Sequence, residues 1–155
     1  MTMDTNGCNG YELMLCQMTF AKHQDILRDP NIWVGDTGAS THSTPHQQGM
    51  INIKTAASSD GIVVGNNQVN TVTAIGDIPG TFYDQHGEQG VSATLKEVSY
   101  SPDNAFNLFS IPQLMMQGWS ISGKGDCITC ISPDRIEIKF DIVVETKKGR
   151  VFAAC

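Results

Sequence analysis

The chain has 155 residues, of which 40% are hydrophobic and 17% charged, and its formal net charge is −6. This length and composition suit one globular domain with a modest core and exclude a wholly disordered chain. Acidic balance with scattered Lys and Arg argues against a nucleic-acid partner, because phosphate contacts need clustered basic side chains. No stretch is long and apolar enough to span a membrane, and the polar first ten residues lack a signal-peptide core. We therefore expect a cytoplasmic protein without a membrane partner.

The first part of the chain is ambiguous, and we predict a strand over residues 11–20. From residue 31 onward, short β-type runs alternate with Gly, Asn, Asp and Pro, which predicts an all-β, mainly antiparallel fold. Within residues 91–100 the apolar positions change face, which predicts a β-bulge near Glu97. The predicted strands span residues 31–34, 51–54, 62–64, 69–75, 81–83, 91–100, 119–122, 127–132, 136–144 and 150–153.

Only one segment after residue 31 is predicted to be helical. Ser110 can cap its N-terminus, Pro112 fits its first turn, and Gly118 is a stop signal. Between two apolar β runs, residues 65–68 (Gly-Asn-Asn-Gln) are typical of a hairpin turn, because Asn and Gly tolerate positive φ.

Cys127 and Cys130 have the CxxC spacing of some metal and redox sites, but no second pair or nearby His completes a ligand set. On a strand, residues three apart face opposite sides of the sheet. We therefore expect ordinary buried or half-buried thiols here, and no metal or cofactor.

Asp36 follows the apolar run Ile32-Trp33-Val34 and precedes small residues, within the stretch NIWVGDTGASTHST. A buried, unpaired carboxylate is costly, so a core strand carries one only where it has a task. The plainer interpretation is an Asp that starts a turn and caps the backbone. Two adjacent carboxylates share one proton and can activate water. The chain holds a single Asp-Thr-Gly, and a two-fold homodimer would supply the second carboxylate.

The stretch WVGDTGASTH (residues 33–42) resembles the active-site stretch of retropepsins, and specifically of copia-type (Pseudoviridae) retrotransposon proteases. LKEVSYSPDNAFNLFSIPQLMMQGW (residues 95–119) is similar to a second block of that family, and residues 61–78 fall where its flap hairpin and the next strand are expected. The resemblance covers roughly residues 31–132.

This resemblance implies a retropepsin-like half-barrel that works as a homodimer. It implies an aspartic endopeptidase that needs no cofactor and cleaves its own Gag-Pol polyprotein. The expected location is the cytoplasm, within virus-like particles. The implied division of the chain is an N-terminal segment, partly flexible, over 1–28, a protease domain over 29–132, and C-terminal strands over 133–155. Those last strands belong either to the protease body or to the next polyprotein region.

Site roles follow from the resemblance position by position. Asp36 would be the catalytic aspartate, supported by Thr37, Gly38 and Ala39, with the Thr37 hydroxyl bracing the two loops across the dimer axis. The flap and substrate-binding residues would be Val64, Gly65, Asn66, Asn67 and Gln68. The element behind the catalytic loop would be Leu108, Phe109 and Ser110.

Two departures from the family pattern support an alternative. Gly35 stands where an aliphatic residue is usual, so looser packing behind Asp36 is expected, and the flap tip lacks paired glycines. The alternatives are therefore a catalytically silent dimerisation or binding module with this fold, and an unrelated β-sandwich or barrel interaction domain.

The remaining polar candidates are expected to be structural. His42 lacks the sequence context of a nucleophile, so packing or surface hydrogen bonding is the favoured role. Asp60, Asp77 and Asp84 lie in turn-like sequence and are predicted to be turn residues.

Overall fold

The structure is a computed structural model that describes residues 24–57, 60–63, 68–84, 86–87, 90–147 and 149–155. The strand predicted over residues 11–20 lies outside this range, as do residues 64–67 of the predicted flap. The described part is mostly β-strand with one short α-helix, which confirms the predicted fold class.

In the described residues, a 3-10 helix (Gln24–Arg28) leads into thirteen strands, and the α-helix α1 (Ile111–Met116) follows the eighth. The strands are β1 (Trp33–Asp36), β2 (Ser43–Thr44), β3 (Ile51–Thr55), β4 (Gly61–Val63), β5 (Val69–Thr71), β6 (Ala74–Phe82), β7 (Val91–Tyr100), β8 (Asn107–Ser110), β9 (Ser120–Lys124), β10 (Cys127–Ile131), β11 (Glu137–Phe140), β12 (Ile142–Thr146) and β13 (Gly149–Ala154). As predicted, the Ser110 side chain caps α1, with Pro112 in its first turn.

Eight strands form one sheet, in the order β12-β13-β1-β8-β2-β7-β6-β3. The pairs β1–β8 and β2–β7 are parallel, and the other pairs in this sheet are antiparallel. Strands β9 to β11 form a three-stranded sheet, and β4 and β5 form a separate hairpin. The strand that ends at Asp36 therefore lies inside the large sheet, with neighbours on both edges.

β1 is also buried on both faces. Trp33 belongs to a core cluster centred on Phe109, whose ring centroid lies 5.8 Å from that of Phe82 and 5.0 Å from that of Phe140. Ile32 and Val34 belong to a second cluster, which includes residues of β12 and β13. Such a doubly covered strand needs a continuous apolar run, which Ile32-Trp33-Val34 provides.

β6 is longer than predicted, because Gly76 to Gly80 continues the strand where the sequence indicated a turn. Among the described residues, β3 pairs with β6 only as far as Asp77. Pro79 lacks a backbone N–H and is tolerated beyond that point, since no described strand pairs with this edge of β6 there. The predicted strand 136–144 divides at Asp141 into β11 and β12.

The predicted bulge near Glu97 is confirmed. Gly76 pairs with Val98 and Ile78 pairs with Leu95, so Lys96 and Glu97 together face one residue, Asp77. Glu97 adopts the left-handed φ of 54°, which places its N–H toward the Asp77 carboxylate.

The prediction that Asp77 is a turn residue is wrong. Its side chain is buried in the middle of β6 and accepts hydrogen bonds from Asn52 Nδ2 (3.0 Å), Lys96 Nζ (3.0 Å) and the Glu97 N–H (3.2 Å). These bonds, led by those of Asn52 and Lys96, lower the pKa of Asp77 to about 2. Asp77 therefore stabilises the bulge and joins β3, β6 and β7. Asp60 and Asp84 do accept backbone N–H bonds within local turns, as expected.

We expect Asp77→Asn to destabilise the fold at neutral pH, because a charge-assisted cluster is replaced by neutral hydrogen bonds. Since the folded pKa is lowered, the contribution of Asp77 is fully present above its ordinary pKa of 3.8 and is lost as the pH falls toward 2. Urea unfolding at pH 7, 4 and 2.5 should show the difference between the variant and the wild type shrinking as the pH falls. Asp103→Asn, at an exposed turn, is the matched control. A difference that is the same at all three pH values would contradict this account.

Candidate active site

Asp36 is the last residue of β1 and begins a tight turn. Its Oδ1 accepts a hydrogen bond of 2.7 Å from the Gly38 N–H, and the carboxylate remains half-buried. A Cβ on Gly38 would lie 3.2 Å from the same oxygen, so a glycine leaves the space that the carboxylate uses. The capping interaction expected of a turn Asp is thus present, and the strand presents the acid at the molecular surface.

β8 lies beside β1 in parallel, with Gly35 opposite Phe109 and Asp36 opposite Ser110. The Ser110 hydroxyl donates a hydrogen bond of 2.5 Å to the carbonyl of Ala39 and accepts the Gln113 N–H that caps α1. The sequence-predicted residues 108–110 and 36–39 are therefore brought together. Ser110 links the turn after Asp36 to the start of the helix.

His42 is buried against this junction. Its Nδ1 accepts a hydrogen bond of 2.9 Å from the Ser110 N–H, and its ring centroid lies 4.5 Å from that of Phe109. Burial lowers the pKa of His42 to about 4, so the imidazole is neutral at pH 7. The structural role expected for His42 is confirmed.

The expectation of loose packing behind Asp36 is wrong. A Cβ on Gly35 would lie 3.0 Å from Cδ1 of Phe140, because the Phe140 ring fills the space beside the strand. Phe140 is fully buried and comes from β11, far along the chain. Glycine at position 35 is therefore paired with a large aromatic residue that replaces the volume of a side chain.

A family model for the Pol polyprotein, beta-barrel domain matches residues 33–119, which is 87 of the 155 residues. The match begins at Trp33 on β1 and ends at Trp119, so it contains both Asp36 and the β8–α1 element. The chain belongs to the Pol polyprotein beta-barrel domain family. It is thus a Pol-derived protein of the retroelement type. No curated protein and no solved structure matches it.

In this Pol beta-barrel domain, two strands that follow the matched residues, β12 and β13, complete the sheet around Asp36. β13 pairs with β1 through Trp33–Ala154 and Val34–Ala153, and β12 pairs with β13. Together with Phe140, these strands give the acid-bearing strand one of its two neighbours and much of its packing. Of the described strands within residues 133–155, β12 and β13 are therefore part of the same sheet as Asp36, while β11 belongs to the three-stranded sheet and contributes Phe140.

Asn107 is a buried polar residue of the domain that the sequence interpretation overlooked. Its Nδ2 donates to the carbonyls of Ile32 (2.9 Å) and Pro30 (3.0 Å), and its Oδ1 accepts the Thr44 hydroxyl (2.6 Å). These bonds hold the chain as it enters β1. The sequence does contain a signal for this role: Asn107 is a polar residue within the apolar run of residues 106–109. A buried amide in a strand needs hydrogen-bond partners, so its presence there predicts such contacts.

The predicted hairpin is present as β4 and β5, with Val63 opposite Val69. Both valines are largely exposed, at 70% and 65%, so the hairpin offers apolar surface near its tip. Gln68 is exposed, and residues 64–67 of the predicted flap lie outside the described range.

The CxxC cysteines of the Pol beta-barrel domain are free thiols, as expected, with Cys130 buried and Cys127 half-buried. Burial raises the pKa of the Cys130 thiol to about 12, which makes it a poor nucleophile and ligand. Across the described ranges, no group of three or more His, Cys, Asp or Glu residues could hold a metal ion. No helix in those ranges is long and apolar enough to cross a membrane.

A cavity of about 730 Å³ opens at the start of β1, lined by Trp33, His46, Phe82 and Leu95 among others. It contains none of residues 36–39, and Thr37 and Gly38 are exposed. Asp36 and the three residues after it therefore do not line this cavity, and the acid lies at the surface of the part of the chain that the structure describes.

Proposed function

We propose that this Pol beta-barrel domain is a homodimeric aspartic endopeptidase of the retropepsin type, from a copia-type retrotransposon, that cleaves the Gag-Pol polyprotein. The observation that carries the proposal is the placement of Asp36. A half-exposed carboxylate ends a strand that is buried on both faces, in a turn of small residues held to β8 through Ser110. This placement supports the proposal because it holds a carboxylate at the surface, where a second copy and a substrate can reach it.

The chemistry requires a second carboxylate. In a two-fold dimer, the exposed turn of one copy meets the same turn of the other, because a symmetric interface places a residue beside its own copy. Two carboxylates brought close together in this way share one proton. One of them then acts as a base toward water, while the other donates a hydrogen bond to the substrate carbonyl. Water then attacks the peptide carbonyl, and the departing nitrogen is protonated by the pair.

The other site residues take roles that suit their positions. Thr37, exposed beside Asp36, braces the two turns across the axis, and Gly38 and Ala39 keep the approach open. Leu108, Phe109 and Ser110 hold the turn from behind, through the register with β1 and the Ser110 hydroxyl.

The substrate is an extended polypeptide. It pairs its backbone with strand edges near the turn and lies under the hairpin of β4 and β5. The flap residues in this proposal remain those of the resemblance, Val64 to Gln68. The exposed Val63 and Val69, which pair with each other in that hairpin, provide apolar contact for substrate side chains. Cleavage of the polyprotein takes place in the cytoplasm, within virus-like particles.

A silent binding module is less well supported than the enzyme. Gly35 was one reason to consider it, and the Phe140 ring accounts for that residue without any loss of packing. Three measurements on the same preparation test the proposal. Sedimentation should detect a dimer, and the dimer should cleave a peptide spanning the sequences that flank the domain in its polyprotein. A statine-type transition-state mimic should inhibit it tightly. A dimer that neither cleaves nor binds the mimic would support the silent module.

A further inference from the structure

The buried imidazole of His42 is positioned at the point where three elements meet. Its Nδ1 accepts the Ser110 N–H at the end of β8, and its backbone carbonyl accepts the Ser99 N–H of β7 at 2.9 Å. Its ring lies against Phe109, with an angle of 58° between the ring planes. Only 5% of the residue is exposed, so these contacts fix its orientation.

Ser110 carries the contacts of His42 to the turn after Asp36. The Ser110 hydroxyl holds the Ala39 carbonyl, and the Gln113 side chain holds the next carbonyl, that of Ser40, at 2.8 Å. Asp36 lies opposite Ser110 in the parallel pair of β1 and β8. A shift of the Ser110 backbone would therefore disturb both of these hydrogen bonds and the position of Asp36. The buried Ser110 N–H has His42 Nδ1 as its acceptor, and a buried donor that loses its acceptor destabilises its surroundings.

We propose that His42 is a positioning residue for the reaction, which rests on the proposed function: its neutral imidazole holds the Ser110 N–H and thereby holds the turn of residues 36–39 in the geometry that two copies need to pair their carboxylates. His42 does not touch substrate in this account. It acts through Ser110 on the placement of Asp36.

The hydrogen bond sets the protonation state. Nδ1 must be unprotonated to accept it, so the ring carries its proton on Nε2. A proton added to Nδ1 would point at the Ser110 N–H, and two donors would then face each other. The groups that pack against the ring or bond to His42 from β8 and β7 are Phe109, Ser110 and Ser99, none of which is charged. Burial is the sole cause of the lowered pKa of about 4, so no described acidic or basic side chain contributes to it. The bond to Ser110 is therefore lost as the pH falls toward 4.

Two substitutions distinguish the contribution of the hydrogen-bond acceptor of His42 from that of its side-chain volume. His42→Asn keeps an acceptor, because the Asn Oδ1 lies as many bonds from Cβ as the His Nδ1. His42→Leu keeps apolar volume and removes the acceptor. Among variants that sediment as folded dimers, we expect His42→Leu to lower kcat at least about tenfold with KM changed less than about threefold, because placement of the acid matters most in the transition state. His42→Asn should regain most of that kcat. Equal kcat values for His42→Leu and wild type would overturn the proposal.

The acid side of the pH profile is a second test, which a purely structural role would not affect. In the wild type, the loss of kcat at low pH should include the protonation of His42, near pH 4. Asn does not titrate, so in His42→Asn the acid limb should lie at lower pH or be less steep. An unchanged acid limb in this variant would contradict the proposal.

The proposal can also fail separately from the proposed function. The Ser110 amide donates to His42 Nδ1, and the Ser40 amide belongs to the same peptide group as the Ala39 carbonyl, which accepts from the Ser110 hydroxyl. NMR follows these two amides whether or not the protein cleaves anything. We expect both amides to titrate together near pH 4 in the wild type and to stay constant over that range in His42→Asn. If the Ser110 amide titrates and the Ser40 amide does not, His42 does not control the turn and the proposal is wrong. If the amides behave as expected and the Asp36→Asn variant remains fully active, it is the proposed protease mechanism that fails.

Discussion

Asp36→Asn should reduce peptide cleavage by about 10³-fold or more while leaving the fold and the dimer intact. The amide cannot accept a proton from water, and general-base catalysis alone contributes factors of this size. The Asn Oδ1 can still accept the Gly38 N–H, so the turn is retained, and a substitution at a half-exposed position changes the free energy of unfolding by only about 0.5 kcal/mol. Cleavage rate, sedimentation and urea unfolding of the same sample are the measurements.

Mixing subunits makes this test specific for a shared site. After exchange in an equal mixture of wild-type and Asp36→Asn subunits, about one dimer in four is wild type on both sides. If each active site needs one Asp36 from each copy, the mixture should therefore have about one quarter of the activity of the same total concentration of wild-type protein. Independent sites would retain about half. Asp103→Asn, an exposed acid in a different turn, is the control and should mix without loss. Wild-type cleavage by Asp36→Asn alone would exclude the aspartic mechanism.

Phe140→Ala should destabilise the protein by about 3–5 kcal/mol, because a fully buried aromatic ring at the centre of the core is removed and a cavity is left. That is a large part of the stability of a domain of this size. The cavity would open directly behind Gly35, so cleavage should fall even under conditions where the variant remains folded. Denaturant unfolding and cleavage assays on one preparation measure both effects.

A double-mutant cycle tests whether Gly35 and Phe140 are matched to each other. Gly35→Ala should be destabilising in the wild type, since the added Cβ would lie 3.0 Å from the ring. In the Phe140→Leu background, where a smaller side chain faces the same strand, the same substitution should be less destabilising or neutral. Gly80→Ala is the matched control, because a Cβ at that position meets no atom within 4 Å. Additive free energies at positions 35 and 140 would show that the two residues are not coupled.

Much of the fold is encoded locally. The alternation of β-type runs with turn residues predicted the fold class, Ser110 and Pro112 predicted the start of α1, and the change of face within β7 predicted the bulge at Glu97. Each of these signals lies within a few residues of the structure it produces, so no knowledge of the sheet order was needed. The acid at the end of an apolar strand was visible for the same reason.

The long-range contacts of Asp77, Gly35 and His42 were decided only by the tertiary structure. Asp77 looked like a turn residue because Gly and Pro are its near neighbours, and it became a buried anchor because β3 and β7 bring Asn52 and Lys96 to it. Gly35 looked like a packing defect until β11 placed Phe140 over it. His42 and Ser110 meet because β2, which begins at the residue after His42, pairs antiparallel with β8. A hydrogen bond or a van der Waals contact depends on distance in space, and residues far apart in the chain acquire that distance only when the order and register of the strands are set.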